Sequence, residues 1–594
     1  MERNHDELKI MKNVYSSGAH RFIPYVLLFF VLSVFYAPVF LALLRLIFVS
    51  NWSISSMIDF VQESTLLQST MTFSLVQAFF SASLALMIGT PIAWFLGRYT
   101  WRFKSILETL FSLPFITPSI VAAAGFLALS SQHGFLMNIG IDTQSSDSVL
   151  NTFGNSIGIE NFGRLSLLII AHAWFNVSLF IRFLGPRISS LHPHFEMQFR
   201  LLPHGNNPWY RWRTFWMPYL GGSILSAWLF SFFFSFTSFA LIRWLVPGEF
   251  TLESLVGAYG QFAGIQGYRI DATRIVLVAT LLQFLMLSIV FIFFQKQKNN
   301  MNQSYQAILE REHFRIAPKP SSSTAFFVWG MAFLTITPFV SIFLSSFQIR
   351  EQAASGQFRW SFDAWIRALS DEFQGISVFD ALLNSFLYAI IAICIVVPVT
   401  VLVSTALLHI ERQGKKRIAD GLEFLCIAPL FLSAVTVGLG LSTGLISLPG
   451  NPLQWRWLPV LPHVFLTFPF ALRILHPAMK RVDEKYIMQA KLLDCSILSM
   501  YWLGIGVHLK NTIIVVIALS FAFSIGEFGA SFLVVRFESW TSLSILVDVL
   551  LSRPKFDPIA YPLAMVVATI LFFFTFFSLL IINKFQHLDG ELYD

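Results

Sequence analysis

Cysteine is nearly absent from the chain: three occur in 594 residues, Cys394 and Cys426 inside apolar runs and Cys495 in a basic loop. Such sparse placement suggests neither a disulfide framework nor a thiolate metal cluster. Charge is scarce too, with Asp, Glu, Lys and Arg making up 12% of the chain, about half the share usual in soluble domains. No G-x-x-x-x-G-K-[ST] phosphate loop occurs. No carboxylate–His or Ser–His–Asp constellation converges in the apolar runs, which argues against a membrane-embedded enzyme. His192, His194 and His204 lack a metal-ligand context, so no cofactor or metal is expected.

What the chain has is apolar length. Hydrophobic residues make up 55% of it, 65 of them Phe, and the mean hydropathy is +0.66. A bilayer core needs about 20 apolar residues per helix, because unpaired backbone groups are not tolerated in hydrocarbon. Runs of that length fall near 22–49, 69–97, 106–130, 165–186, 218–247 and 273–294, then near 323–347, 381–410, 419–448, 458–478, 510–535 and 560–583. The expectation is an all-α membrane protein of about twelve transmembrane helices. Pro91, Pro114, Pro118, Pro398 and Pro429 mark kinks. The first run is too long for a signal-peptide core and has no cleavage site, so it is read as a helix.

An even number of spans puts both termini on one side. The segments on that side hold 26 Lys and Arg against 8 opposite, with the rest in or beside spans. By the positive-inside rule the termini are cytoplasmic. The net charge of +7 therefore orients the chain in membrane lipid, and no nucleic-acid partner is implied. Trp101, Trp244 and Trp457, near span ends, read as interfacial anchors.

The two sets of spans repeat one design. QAFFSASLALMIGTPIA (Gln77 to Ala93) matches NSFLYAIIAICIVVPVT (Asn384 to Thr400), pairing Pro91 with Pro398. LPFITPSIVAAAG (Leu113 to Gly125) matches APLFLSAVTVGLG (Ala428 to Gly440), pairing Pro114 with Pro429 and Gly125 with Gly440. SFTSFAL from Ser235 matches SIGEFGA from Ser524. The expected organisation is two related six-helix halves, 1–294 and 323–594, joined by a cytoplasmic linker over 295–322.

Between the fourth and fifth spans of each half lies a polar loop. The first contains LPHGNNPWYRWRTFWMPYL from Leu202, with Gly205, Pro208, Trp209 and Pro218. It resembles the EAA loop of ABC-importer permeases, in which a short helix, a glycine turn and a later Leu-Pro contact the ATPase subunit. Here Phe199, Arg200 and Leu201 stand in the Glu-Ala-Ala places. The second loop, MQAKLLDCSILSMYWLGIGVHL (Met488 to Leu509), keeps Ala490 but has Asp494 for the glycine and Val507 for the proline. A helix in such a loop can seat on a partner and move with it as a rigid body. Phe195, Leu202, Ile487 and Leu493 are the expected apolar anchors, with Arg200, Lys485 and Lys491 at the rim; an interfacial helix on lipid headgroups is the alternative. The resemblance implies a type I ABC-importer permease in the bacterial cytoplasmic (inner) membrane. It also implies two copies of a separate ATPase subunit, one under each half, and an extracytoplasmic solute-binding protein.

Within that class the fused layout, SIGEFGASFLV (Ser524 to Val534) and VPGEFTLESLVGAY (Val246 to Tyr259) resemble thiamine permeases, with iron(III) permeases close behind. Glu527 lies about 17 residues into the span that begins near Lys510, toward the outer side of the membrane, where an ionisable group faces the bundle interior or a wet cavity. A carboxylate there suits a cation such as thiamine, and it equally suits an internal pair. Ser235, Thr237, Ser238 and Ser524 are candidate pathway hydroxyls that could instead bond their own backbone. A secondary transporter driven by an ion gradient is the competing class; the paired loops favour the importer.

Overall fold

A computed structural model describes residues 22–130, 134–145, 147–191, 193–309, 319–350, 358–370, 372–373, 376–450, 452–482, 506–507, 509–553 and 557–591. The expected docking residues Ile487, Ala490, Leu493 and Asp494 lie outside them, as do Lys485, Lys491, His192 and Cys495.

The chain opens with α1 (Ile23–Ser50), α2 (Ile54–Glu63), α3 (Thr65–Arg98), α4 (Lys104–Ile116) and α5 (Ser119–Ser130). Then come α6 (Phe162–Ser190), α7 (Pro193–Arg200), α8 (Met217–Phe236), α9 (Ala240–Leu245), α10 (Leu252–Gly260) and α11 (Ile270–Leu309). The order repeats over the described residues, with a short helix at Asp363–Ser370 in the place of α2. It runs through α12 (Ser322–Ser345), α13 (Val378–Arg412), α14 (Lys416–Ile427), α15 (Ala434–Leu439) and α16 (Val460–Arg481), then α17 (Lys510–Ile525), α18 (Gly529–Val534), α19 (Leu543–Leu551) and α20 (Ala560–Glu591). Among the described residues ten helices are long and apolar enough to cross a bilayer. Two shorter apolar ones, Ala434–Gly444 and Lys510–Ile525, stand where two more crossings are expected. The architecture is that of an all-α, type I importer-permease-like membrane protein. Two small antiparallel strand pairs, Gln348–Arg350 with Phe358–Trp360 and Glu372–Phe373 with Ile376–Ser377, were not expected. Helix α11 also continues to Leu309, well into the segment read as linker.

Four expected spans are broken helices. Thr117, held extended at ψ 133 before Pro118, separates α4 from α5. Its counterpart is a 3-10 turn at Ala428–Phe431 followed by extended Leu432. The fifth spans break after Phe236 and Ile525, leaving α9 and α18 as single short turns of helix. Proline explains the first two breaks. The latter two follow from tertiary packing that hydropathy does not report.

The paired glycines have matching jobs. A Cβ on Gly125 would lie 2.9 Å from Pro338 of α12, and one on Gly440 would lie 2.9 Å from Val39 of α1. Each marks the close seat of the other half's first helix. Accordingly Leu28, Val31 and Phe35 of α1 share a buried cluster with Val396, Phe465 and Phe468, and Val328 and Ala332 of α12 share one with Leu107 and Phe111. Small residues let helices approach closely where lipid provides no hydrophobic drive for association.

Candidate functional site

All four helix breaks meet at one cavity between the halves, of about 270 Å³. Thr117 and Pro118, Thr237 to Phe239, Leu432 and Ser433, and Gly526 to Phe528 all line it. Irregular backbone at membrane depth is tolerated where it borders a cavity or is buried in protein. Phe239 and Phe528, equivalent residues of the two breaks, stack across the interface with centroids 5.5 Å apart and planes 19° apart. The rest of the wall is largely aromatic, including Phe115, Phe234, Phe470 and Phe523.

The expected pathway residues come together here. Glu527 lines the cavity and is 7% exposed. One carboxylate oxygen accepts from the Ala530 amide at 2.7 Å, the other from the Ser531 amide at 3.0 Å and from the Ser531 hydroxyl. It thus satisfies free N–H groups at the start of α18, where helix geometry leaves them unpaired and a negative charge is favoured. Thr237 and Ser238 also line the cavity; the Thr237 hydroxyl donates to its own helix at Phe233 O, 2.9 Å. Ser235 and Ser524 are buried one step back. The Ser235 hydroxyl takes a bond from Asn176 Nδ2 at 3.1 Å, and the Ser524 hydroxyl lies 2.9 Å from His463 Nδ1.

A second carboxylate on the wall, Glu253 of α10, was missed by reading spans alone. It accepts from the Val435 amide of α15 at 3.1 Å and from the Gln283 side chain. The first half therefore caps a helix of the second. Its sequence signal was one Glu in an otherwise apolar amphipathic stretch. Nearby, Arg243 holds Asp548 through two bonds, 2.7 and 3.1 Å, and Trp244 Nε1 adds a third at 3.0 Å. Trp244, expected as an interfacial anchor, instead helps to join the halves. Further unrecognised repeats lie in the fourth spans. The same spacing separates His172 from His463, Arg182 from Arg473 and Pro186 from Pro477.

The first loop is a second site. Helix α7 leads into a turn at Gly205, where an added Cβ would lie 2.0 Å from the Phe199 carbonyl. Glycine is required by that close approach, while His204 before it takes the left-handed φ of 66°. Asn207 caps Pro208–Arg211, and a π-helical turn at Trp212–Trp216 runs into α8, whose first turn holds Pro218. Glu196, on the buried face of α7, pairs with Arg98 at the end of α3, with Arg200 at 3.1 Å and with Arg211 at 3.4 Å. Arg200, expected at a rim, pairs with Glu196 while its side chain stays 48% exposed. Above it Phe195, Leu201 (86% exposed), Leu202 and Trp209 (71% exposed) turn outward. The result is an apolar face on a loop tied to a membrane helix.

The chain is similar to the thiamine transport system permease protein ThiP of Escherichia coli (strain K12), 22% identical over 483 residues, 79% of this chain and 81% of that protein. Shorter matches run to sulfate transport system permease proteins. These are CysT of Escherichia coli (strain K12), 24% identical over 181 residues (29% of this chain, 64% of the relative), and a probable cysT of Chlorokybus atmophyticus, 28% identical over 130 residues (22% and 44%). The chain spans less than two thirds of these sulfate relatives. No protein-family model matches the chain. Taken together, the relatives indicate an ABC-importer permease and support the expected likeness to fused two-domain permeases. Ten candidate spans among the described residues, together with these relatives, support a multi-pass inner-membrane protein.

Proposed function

We propose that the cavity between the halves is the solute path, and that the 193–211 loop and its counterpart near 484–509 dock two copies of a separate ATPase subunit. A solute-binding protein delivers the cargo on the opposite face, and both termini lie with the ATPase. The proposed units are 1–294 and 323–594, joined through 295–322. The observation that carries the docking reading is the exposed apolar face of the first loop, held on α3 by the Glu196–Arg98 pair. A push on that face moves a membrane helix as one body.

The proposed cargo is thiamine or a related small solute, because the thiamine-system relative matches most of the chain. An aromatic wall suits a flat heteroaromatic ring. Sulfate is the second reading, carried by the shorter matches, while the iron(III) alternative has no relative among those matched. The roles of Glu527, Ser235, Thr237, Ser238 and Ser524 as pathway residues belong to this proposal.

The test is co-purification with the ATPase subunit, together with uptake of labelled thiamine and sulfate in cells lacking their own systems for each. Gly205→Arg and Trp209→Ser should both lower ATPase recovery and uptake. Wild-type recovery and uptake in both variants would overturn the docking assignment; uptake of neither solute by the wild type would overturn the cargo.

A further inference from the structure

The helix faces that line the central cavity continue past it toward the loop side, and there they carry positive charge. On α6, Phe175 lines the cavity and Arg182 stands two helical turns further along the same face. On α16, Leu466 and Phe470 line it, with Arg473 two turns beyond Leu466. The two arginines are equivalent in the repeat and sit the same number of residues before the ends of their helices, Ser190 and Arg481.

Both side chains are exposed, yet each lies against an aromatic ring. The Arg182 guanidinium carbon is 4.9 Å from the Phe115 ring centre, and that of Arg473 is 5.5 Å from Phe230. Phe234 links those rings, 5.9 Å from Phe115 and 6.2 Å from Phe230. One aromatic patch therefore carries both cations, and it forms part of the cavity wall through Phe115 and Phe234.

Among the described residues neither guanidinium has a hydrogen bond or a carboxylate partner. The cavity's carboxylates do not serve as counterions, since all four oxygens of Glu253 and Glu527 are taken by protein donors. An ionisable side chain at membrane depth is costly and marks a pathway when it faces a cavity. Ring contact covers one face of a guanidinium and leaves its N–H edge free, the edge that binds oxyanions in bidentate fashion.

We propose that Arg182 and Arg473 form a paired oxyanion station at the loop-side mouth of the cavity, selecting solutes that carry a phosphoryl or sulfuryl group. The proposal rests on reading the cavity as the solute path. It favours an anionic group on the cargo, whether inorganic or attached to a flat ring.

The field at the site can be read without knowing the cargo. In full-length chain with Cys394, Cys426 and Cys495 changed to Ser, Ser238→Cys places a reporter thiol on the cavity wall. Its labelling rate is compared for an anionic (sulfonatoethyl) and a cationic (trimethylammonioethyl) methanethiosulfonate. The anionic reagent should react faster. Arg182→Gln with Arg473→Gln should lower the anionic-to-cationic rate ratio by about tenfold, as two unit charges about 10 Å away would, while the double Lys variant should keep most of it. Sulfate and phenyl phosphate should slow labelling of the reporter chain that keeps both arginines, and benzylamine should not.

An unchanged ratio in the double Gln variant, or no protection by either anion, overturns the proposal. So does loss of the anionic preference on adding phosphatidylglycerol alone, which would assign the arginines to a lipid headgroup. Because each ratio is taken within one variant, altered accessibility cancels. The permease reading stands or falls separately, on ATPase recovery and uptake.

Discussion

The two breaks in the fifth spans occupy equivalent places and are stabilised differently. In the second half Glu527 caps the short helix that follows it, bonding Ala530 and Ser531 a few residues on. In the first half Ser238 stands at that position and α9 has no side-chain cap; that half's carboxylate, Glu253, instead caps a second-half helix at the Val435 amide. Both carboxylates cap helices of the second half, Glu527 from within it and Glu253 from across the interface. The difference shows that equivalent irregular backbone need not be satisfied by equivalent residues, only by some donor or acceptor at the right place. It also makes α15 of the second half the helix end that depends on contact between the halves. The sequence expectation put a carboxylate on the second half's side of the path alone; the fold supplies one from each half.

The contrast can be broken most forcefully at Arg243 and Asp548. Removing Arg243 as Met leaves Asp548 buried with Trp244 as its remaining partner, and the expected loss is about 3–5 kcal/mol. Thermal unfolding in detergent measures it, and Arg243→Met with Asp548→Leu should recover much of the loss because no buried charge remains. A single variant as stable as wild type would show that the pair does not join the halves.

Next in size are the carboxylates. Glu253→Ala strips partners from both Val435 N and Gln283 and should cost about 2–4 kcal/mol, with proteolysis between the halves accelerating. Glu527→Ala should cost about 1–3 kcal/mol without that acceleration, since its bonds are local. Equal proteolysis rates for the two would erase the distinction drawn here.

The paired glycines should instead behave alike. Leu at Gly125 or Gly440 overpacks a helix seat, and each should cost about 1–3 kcal/mol; a gap larger than that range between the two melting shifts would mean the seats are not equivalent. The smallest effect is expected at two serines. Ser74 Oγ accepts the amide of Leu252 at 2.9 Å, and Ser385 Oγ accepts that of Leu543 at 2.8 Å. Ala at either should cost about 1 kcal/mol, checked by the same melts.

Much of this was legible in the chain. The apolar runs located the membrane helices, and Gly125 and Gly440 were paired from sequence before their shared packing role was seen. Gly205 was singled out as a turn, and the turn proved too tight for any side chain. Other features were not legible because their signal is spatial. Hydropathy is a running average, so it joins α8 to α9 and α17 to α18 across breaks that only cavity geometry reveals. Glu196 lies one helical turn before the residues that stand in the expected acidic motif, and its three arginines come from three separate segments.

By itself, then, the sequence determined the membrane class, the repeated order of helices and the existence of the first loop, because each depends on local composition or spacing along one helix. Tertiary structure decided which polar groups meet. It gathered four breaks at one cavity, supplied Glu253 from the first half to a helix of the second, and left Arg182 and Arg473 exposed on one aromatic patch without a counterion among the described residues. Electrostatic partnership depends on distance through space, which a linear chain does not state until it folds.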